Sequence, residues 1–153
     1  MTPTWMPQLR AQAQALFAGE TDFLANAANL AALCWLEWPD INWVGLYRRV
    51  GDELRLGPFQ GLPACTRIPW GQGVCGTAAA QRRTLVVPDV HAFPGHIACD
   101  GRSRSELVVP IIRGPRLLGV LDFDSMRPAR FGGAEARLAE ELAALLVGAS
   151  RPD

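Results

Sequence analysis

Apolar and polar positions along the chain change period several times, and each change marks an element. From Pro7 to Ala18, Leu9, Ala13, Leu16 and Phe17 recur close to helical spacing in an alanine- and glutamine-rich stretch that stops at Gly19. A second helix follows, capped by Thr21 or Asp22. Phe23, Leu24, Ala27, Leu30, Ala31, Cys34 and Leu36 form its stripe before Pro39 ends it, which assigns Cys34 to packing. The period then falls to two. Ile41–Val50 reads as a strand, Gly51-Asp52 as a turn, and Leu54 and Leu56 as the start of a half-buried return strand. Residues 57–73 hold three prolines and no periodicity, so the pattern predicts a long loop carrying Cys65.

Helical signals resume at Gly73, placing Cys75 in a first helical turn, where the positive end of the helix dipole is expected to lower a thiol's pKa. Thr84–Val87 is a short strand, and an irregular segment with His91, His96 and Cys99 follows it. Ser105–Arg113 and Leu117–Asp124 form a second hairpin across Gly114-Pro115-Arg116. A three-residue loop there sets Glu106 opposite Asp124 and diagonal to Asp122, with all three carboxylates on one face; a two-residue loop turns Glu106 to the other face. Residues 133–147, with Leu138, Leu142, Leu145 and Leu146 on one side, make an amphipathic closing helix. The order predicts an α+β domain: an antiparallel sheet, terminal helices grouped on one face, and a loop-covered pocket on the other.

At 153 residues and 49% apolar composition the chain fits a single domain, residues 1–153, able to bury a core without covalent staples. Fifteen basic residues, all arginine, balance fifteen acidic ones with no long basic run, which argues against nucleic acid or an anionic membrane as partner. No stretch approaches the ~20 apolar residues of a membrane span, and Met1–Arg10 lacks a secretory signal's pattern, so a cytoplasmic protein is expected. In that compartment four irregularly spaced cysteines point to packing or thiol chemistry rather than a disulfide framework. Their spacing fits neither a zinc knuckle nor a Cys/His zinc hydrolase, and no metal is expected.

Chemistry concentrates around Phe93-Pro94-Gly95-His96-Ile97-Ala98-Cys99-Asp100. This is a thiol on a glycine- and proline-bounded loop, with Glu106 opening the next strand. Cys65, Cys75 and the doublet Asp122/Asp124 could converge on it. Trp43 and Tyr47 share one parity of their strand and could face the same cavity. Like charges across a sheet raise one another's pKa and call for a cation or a shared proton. These observations describe a thiol redox site.

Seven segments in one order carry a resemblance: Asn42-Trp43-Val44-Gly45-Leu46-Tyr47, Leu56-Gly57-Pro58-Phe59-Gln60-Gly61, Ala64-Cys65-Thr66-Arg67-Ile68-Pro69, Gly71-Gln72-Gly73-Val74-Cys75-Gly76-Thr77, His96-Ile97-Ala98-Cys99-Asp100, Ser105-Glu106 and Gly119-Val120-Leu121-Asp122-Phe123-Asp124-Ser125. Together they resemble the GAF-domain free methionine-(R)-sulfoxide reductases, from about Ala11 to Val147. The resemblance implies a GAF fold with a six-stranded antiparallel sheet and a pocket closing over free methionine (R)-sulfoxide. It implies Cys99 as the catalytic cysteine, Cys65 as the resolving cysteine that forms a disulfide with it, and Cys75 as an auxiliary thiol. Glu106, Asp122 and Asp124 match pocket carboxylates, with Glu106 the expected proton donor; Trp43 and Tyr47 match pocket aromatics. No bound cofactor, thioredoxin or another dithiol as reductant, and a homodimer are further implications. The alternative is a non-catalytic GAF module that binds a ligand or senses oxidation. Such sensors usually carry an output domain, and the sequence ends at Asp153 without one.

Overall fold

The computed structural model describes residues 1–152. Two helices, α1 (Trp5–Phe17) and α2 (Phe23–Glu37), lead into β1 (Trp43–Val50), β2 (Glu53–Gly61) and β3 (Arg67–Pro69). Helix α3 (Gly73–Gln81), β4 (Leu85–Val87), a short 3-10 turn (Val90–Ala92), β5 (Ser105–Arg113), β6 (Arg116–Ser125) and α4 (Gly133–Ala149) complete the order. The strands form one antiparallel sheet, β3-β2-β1-β6-β5-β4. This confirms the predicted α+β class and its six strands.

Burial explains the layering. Met6, Leu9, Ala13 and Phe17 of α1, Leu30 and Cys34 of α2, and Leu138, Leu142 and Leu146 of α4 pack on Val44, Leu46, Leu107, Leu121 and Phe123 from one sheet face. Trp38, just past α2, lies 4.3 Å centroid to centroid from Phe123 and fixes the helical layer on the central strands. Cys34 is fully buried here, as its stripe predicts. Asp22 caps α2, its carboxylate accepting from the Ala25 N–H at 3.1 Å. The opposite face is covered by α3 and loops over a smaller core built on Tyr47, Leu54, Val74, Ala78 and Val108.

Two expectations need correction. The loop predicted over residues 57–73 is in part sheet: β2 continues through Gly57-Pro58 to Gly61 and β3 pairs with its start, while Cys65 lies on the loop between them. A register shift between Gly45 and Tyr47 of β1 accommodates Pro58, a residue that strands tolerate at such irregularities. The irregularity erased the period-two signal.

The second correction concerns the β5–β6 hairpin. Its turn has two residues, Gly114 with a positive φ of 57° and Pro115. By parity alone that turn would direct Glu106 to the helical face. A bulge prevents it. Arg113 pairs with Arg116 and Ile112 with Leu117, but Ile111 pairs with Gly119, leaving Leu118 unpaired. Beyond the bulge the register is that of a three-residue loop, and Glu106 faces Asp124.

Candidate active site

Three adjacent strands supply the floor of a pocket. In register, Trp43 of β1 lies beside Asp124 of β6, which lies beside Glu106 of β5; the next row on that face is Gly45, Asp122 and Val108. Tyr47 follows one row on, its ring 5.8 Å from that of Trp43, and Phe59 of β2 stacks on the other side of Trp43 at 5.4 Å. Gly45 makes this stack possible, because a Cβ there would collide with Phe59 Cβ and come within 2.7 Å of Trp43 Cη2. The indole is held in position. Trp43 Nε1 donates to the Leu62 carbonyl and the Tyr47 hydroxyl donates to the Cys65 carbonyl, both at 3.1 Å, so the aromatics also tether the segment that carries Cys65.

Above this floor the loop between the 3-10 turn and β5 folds over. Cys99 on that loop is joined to Cys65 by a disulfide, with their Cα atoms 5.3 Å apart. The loop is held at its base by Arg104 N–H donating to Ser125 O and Val90 N–H donating to Arg104 O, each at 2.8 Å. At its centre the Asn42 amide donates to Asp100 Oδ2 and to Ser103 Oγ, both at 3.1 Å. Arg102 grips the same aspartate through its guanidinium and backbone, holding the Asp100 carboxyl below its ordinary range. With the disulfide closed, the enclosed space is about 40 Å³, room for about three waters.

The electrostatics are unusual for a site so buried. Glu106 and Asp122 are buried and Asp124 partly so, and no arginine lines the pocket. Burial first, then the neighbouring carboxylates, push all three well above the ordinary carboxylate range. Asp122 Oδ1 has no hydrogen-bond partner among the described residues. Cys75 Sγ reaches Glu106 Oε2 at 3.8 Å, and Cys75, Glu106 and Asp122 bring their ligating atoms within 4.8 Å of one another. Such a group calls for protons or a cation, whether an ammonium or a metal ion. The sequence reading of Cys75 is overturned in one respect. Although it sits in the first turn of α3, burial and the adjacent Asp122 and Glu106 raise its thiol pKa rather than lower it, because desolvation outweighs half a helix charge.

Trp43, Tyr47, Cys75, Cys99, Glu106, Asp122 and Asp124 thus line one pocket, and Cys65 is joined to it through Cys99. Residues 13–149 match the GAF domain family. The chain is 50% identical over 132 residues to the free methionine-R-sulfoxide reductase of Escherichia coli, an alignment spanning 86% of this chain and 80% of that protein. The chain belongs to the GAF-domain free methionine-R-sulfoxide reductases. The members of this oxidoreductase family that it matches are widely spread. The Saccharomyces cerevisiae reductase is 42% identical over 149 residues, spanning 92% of this chain and 83% of that one. The crystal structure of the Neisseria meningitidis free methionine-R-sulfoxide reductase in complex with its substrate superposes with a TM-score of 0.92 at 44% identity, covering 97% of this chain and 91% of that one.

Against this reductase scaffold, two side chains stand out that sequence reasoning missed. Asn42, one residue before the strand aromatics, ties the thiol loop to β1; its sequence signals are its place at the head of the first resembling segment and a polar residue at the mouth of an apolar strand. His96, read from the sequence as an ordinary loop residue, lines the pocket beside Cys99, and burial together with the facing His91 holds it below its ordinary value.

Proposed function

We propose that this chain reduces free L-methionine (R)-sulfoxide to methionine, with Cys99 as nucleophile, Cys65 as resolving thiol and Glu106 as proton donor. The observation that carries the reading is the Cys65–Cys99 disulfide closing a pocket whose floor holds three acids, Glu106 and Asp122 buried and Asp124 partly so. A sulfoxide sulfur accepts a thiolate only when its oxygen is protonated or strongly hydrogen-bonded. Glu106, kept protonated by burial and by Asp122, can supply that proton.

Attack of the Cys99 thiolate forms an S–S bond to the substrate sulfur while Glu106 protonates the oxygen. Transfer of that hydroxyl to Cys99 releases methionine and leaves a sulfenic acid; the substrate sulfur gains two electrons and Cys99 loses them. The Cys65 thiol then displaces water, producing the disulfide. A dithiol of the thioredoxin class restores both thiols by exchange. The buried carboxylates not engaged with oxygen receive the ammonium, as the unpartnered Asp122 Oδ1 favours, and the Trp43 face receives the S-methyl group. About 40 Å³ is too little for the amino acid, so reduction must free the Cys99 loop before substrate enters.

Methionine released per chain from the free (R)-epimer, the (S)-epimer and a peptide-bound sulfoxide, with dithiothreitol, tests the reading. Many turnovers confined to the free (R)-epimer support it. No release from folded, reduced protein replaces it with a ligand-binding or redox-sensing module.

A further inference from the structure

At the other end of the same strands lies a second concavity. It is five residues along β1 from Trp43, roughly 16 Å away at the rise of a strand. Arg48 and Arg49 of β1, Arg113 and Arg116 of the β5–β6 hairpin, and Arg151 after α4 surround a groove of about 490 Å³. Among the described residues no carboxylate lines it. Six other arginines, Arg10, Arg55, Arg67, Arg102, Arg127 and Arg130, each form an ion pair, whereas none of these five does among the described residues. Arg82, Arg83, Arg104 and Arg137 also lack an ion pair among the described residues, so this groove holds five of the nine unpaired arginines.

The arrangement is built rather than incidental. Arg113 and Arg116 are direct cross-strand partners, a placement that is destabilising for like charges. The Arg113 guanidinium is fixed by donating to the Ser150 and Arg151 carbonyls at 3.2 and 3.4 Å. Arg49 is fixed by donating to Gly51 O at 3.1 Å and by stacking 4.6 Å over the Trp70 ring. These neutral partners orient guanidinium groups without cancelling their charge. Arg48 and Arg116 stay exposed at the rim, and Phe23 gives the groove an apolar wall.

We propose that this groove binds a small polyphosphate anion: an inorganic oligophosphate or the phosphate chain of a nucleotide. Guanidinium forks match phosphoryl oxygens two at a time, and several converging on one volume favour a compact, multiply charged ligand. The volume falls within the ~300–1,000 Å³ of small-molecule sites. A nucleotide would add contact of its base with Phe23.

Isothermal titration at low ionic strength tests this on the full chain in its disulfide form, with sodium tripolyphosphate in one arm and magnesium-free ATP in the other. One site is expected, weakening steeply with added salt. R48E and R116E should each weaken it by about tenfold or more, the loss of one charge-assisted contact. R10E, the same charge change on α1, should alter it by less than about twofold. ATP binding more tightly than tripolyphosphate assigns the groove to nucleotides, and equal affinity assigns it to the phosphate chain alone. Absence of heat and of any thermal shift with both probes overturns the proposal. So does an equal loss in R10E, which would reveal diffuse attraction. Melting curves and methionine release from the variants establish that they remain folded.

Discussion

Glu106 lies directly across the sheet from Asp124, although the turn that joins their strands is of the length that would separate them onto opposite faces. The unpaired Leu118 brings them together, and with them Asp122, into a shared and largely buried space. The pH behaviour of the protein follows from this juxtaposition.

A carboxyl whose pKa is raised on folding binds its proton more tightly in the native than in the unfolded chain. The stability it contributes is complete below the ordinary carboxylate pKa, about 4, and is lost as pH rises through the folded value. Melting temperature should therefore fall as pH rises from about 5 toward 8. The slope should be shallower in Glu106→Gln or Asp122→Asn, which cannot ionise. Thermal melts across that range decide it, and an equal or steeper slope in both variants would count against shared burial.

Glu106→Gln should also depress turnover by about 100-fold or more, the lower range of a lost general acid. Substrate affinity in the reduced protein should change far less. Single-turnover methionine release together with KM measures the split; loss confined to KM would make Glu106 a binding group only.

Cys99→Ser should abolish methionine release. Cys65→Ser should permit one methionine per chain and then stall as the sulfenic acid, with turnover restored by a small thiol. Quench-flow counting separates the two, and multiple turnovers by Cys99→Ser would reassign the nucleophile.

Gly45→Ala should strike the aromatic stack, since the added methyl meets Phe59 and the Trp43 ring. Overpacking of this kind costs about 1–3 kcal/mol. The expected result is a lower urea midpoint with KM raised more than kcat falls. An unchanged midpoint would mean that the stack moves freely.

Asn42→Ala should loosen the thiol loop, because Asp100 and Ser103 lose their common donor. Amide exchange over residues 93–104 should quicken in the disulfide form while α1 and α4 keep their protection. Uniform acceleration would instead indicate a global loss of stability.

Much of this was legible in the residues. The stripes of α1, α2 and α4 reflect burial against one layer, which periodicity reports directly, and β1, β5 and β6, buried on both faces, show as apolar runs bounded by turn residues. The cysteines, acids and aromatics of the pocket were all identifiable through their motif contexts. What escaped was whatever breaks a period: the second half of β2, where Gly57-Pro58 interrupts the strand, and β3, too short to alternate. The hairpin register was undecidable for the same reason, since an extra residue inside a strand looks identical to one in its turn. The Cys75 thiol was misjudged because a helix terminus is visible in sequence, whereas the surrounding acids and missing solvent belong to the folded state.

Leu118 has a consequence for how this chain can vary. Were Leu118 drawn into the ladder with the Gly114-Pro115 turn kept, Glu106 would come opposite Phe123, exchanging a core ring for a carboxylate and setting Glu106 and Asp124 on different sides of the sheet. A three-residue turn that takes in Arg116 and pairs Arg113 with Leu117 would restore the phase. Loss of Leu118 itself would leave Ile111 paired with Gly119 and Glu106 with Asp124, so the placing of the acids depends on the bulge staying out of the ladder and not on the number of residues in the hairpin.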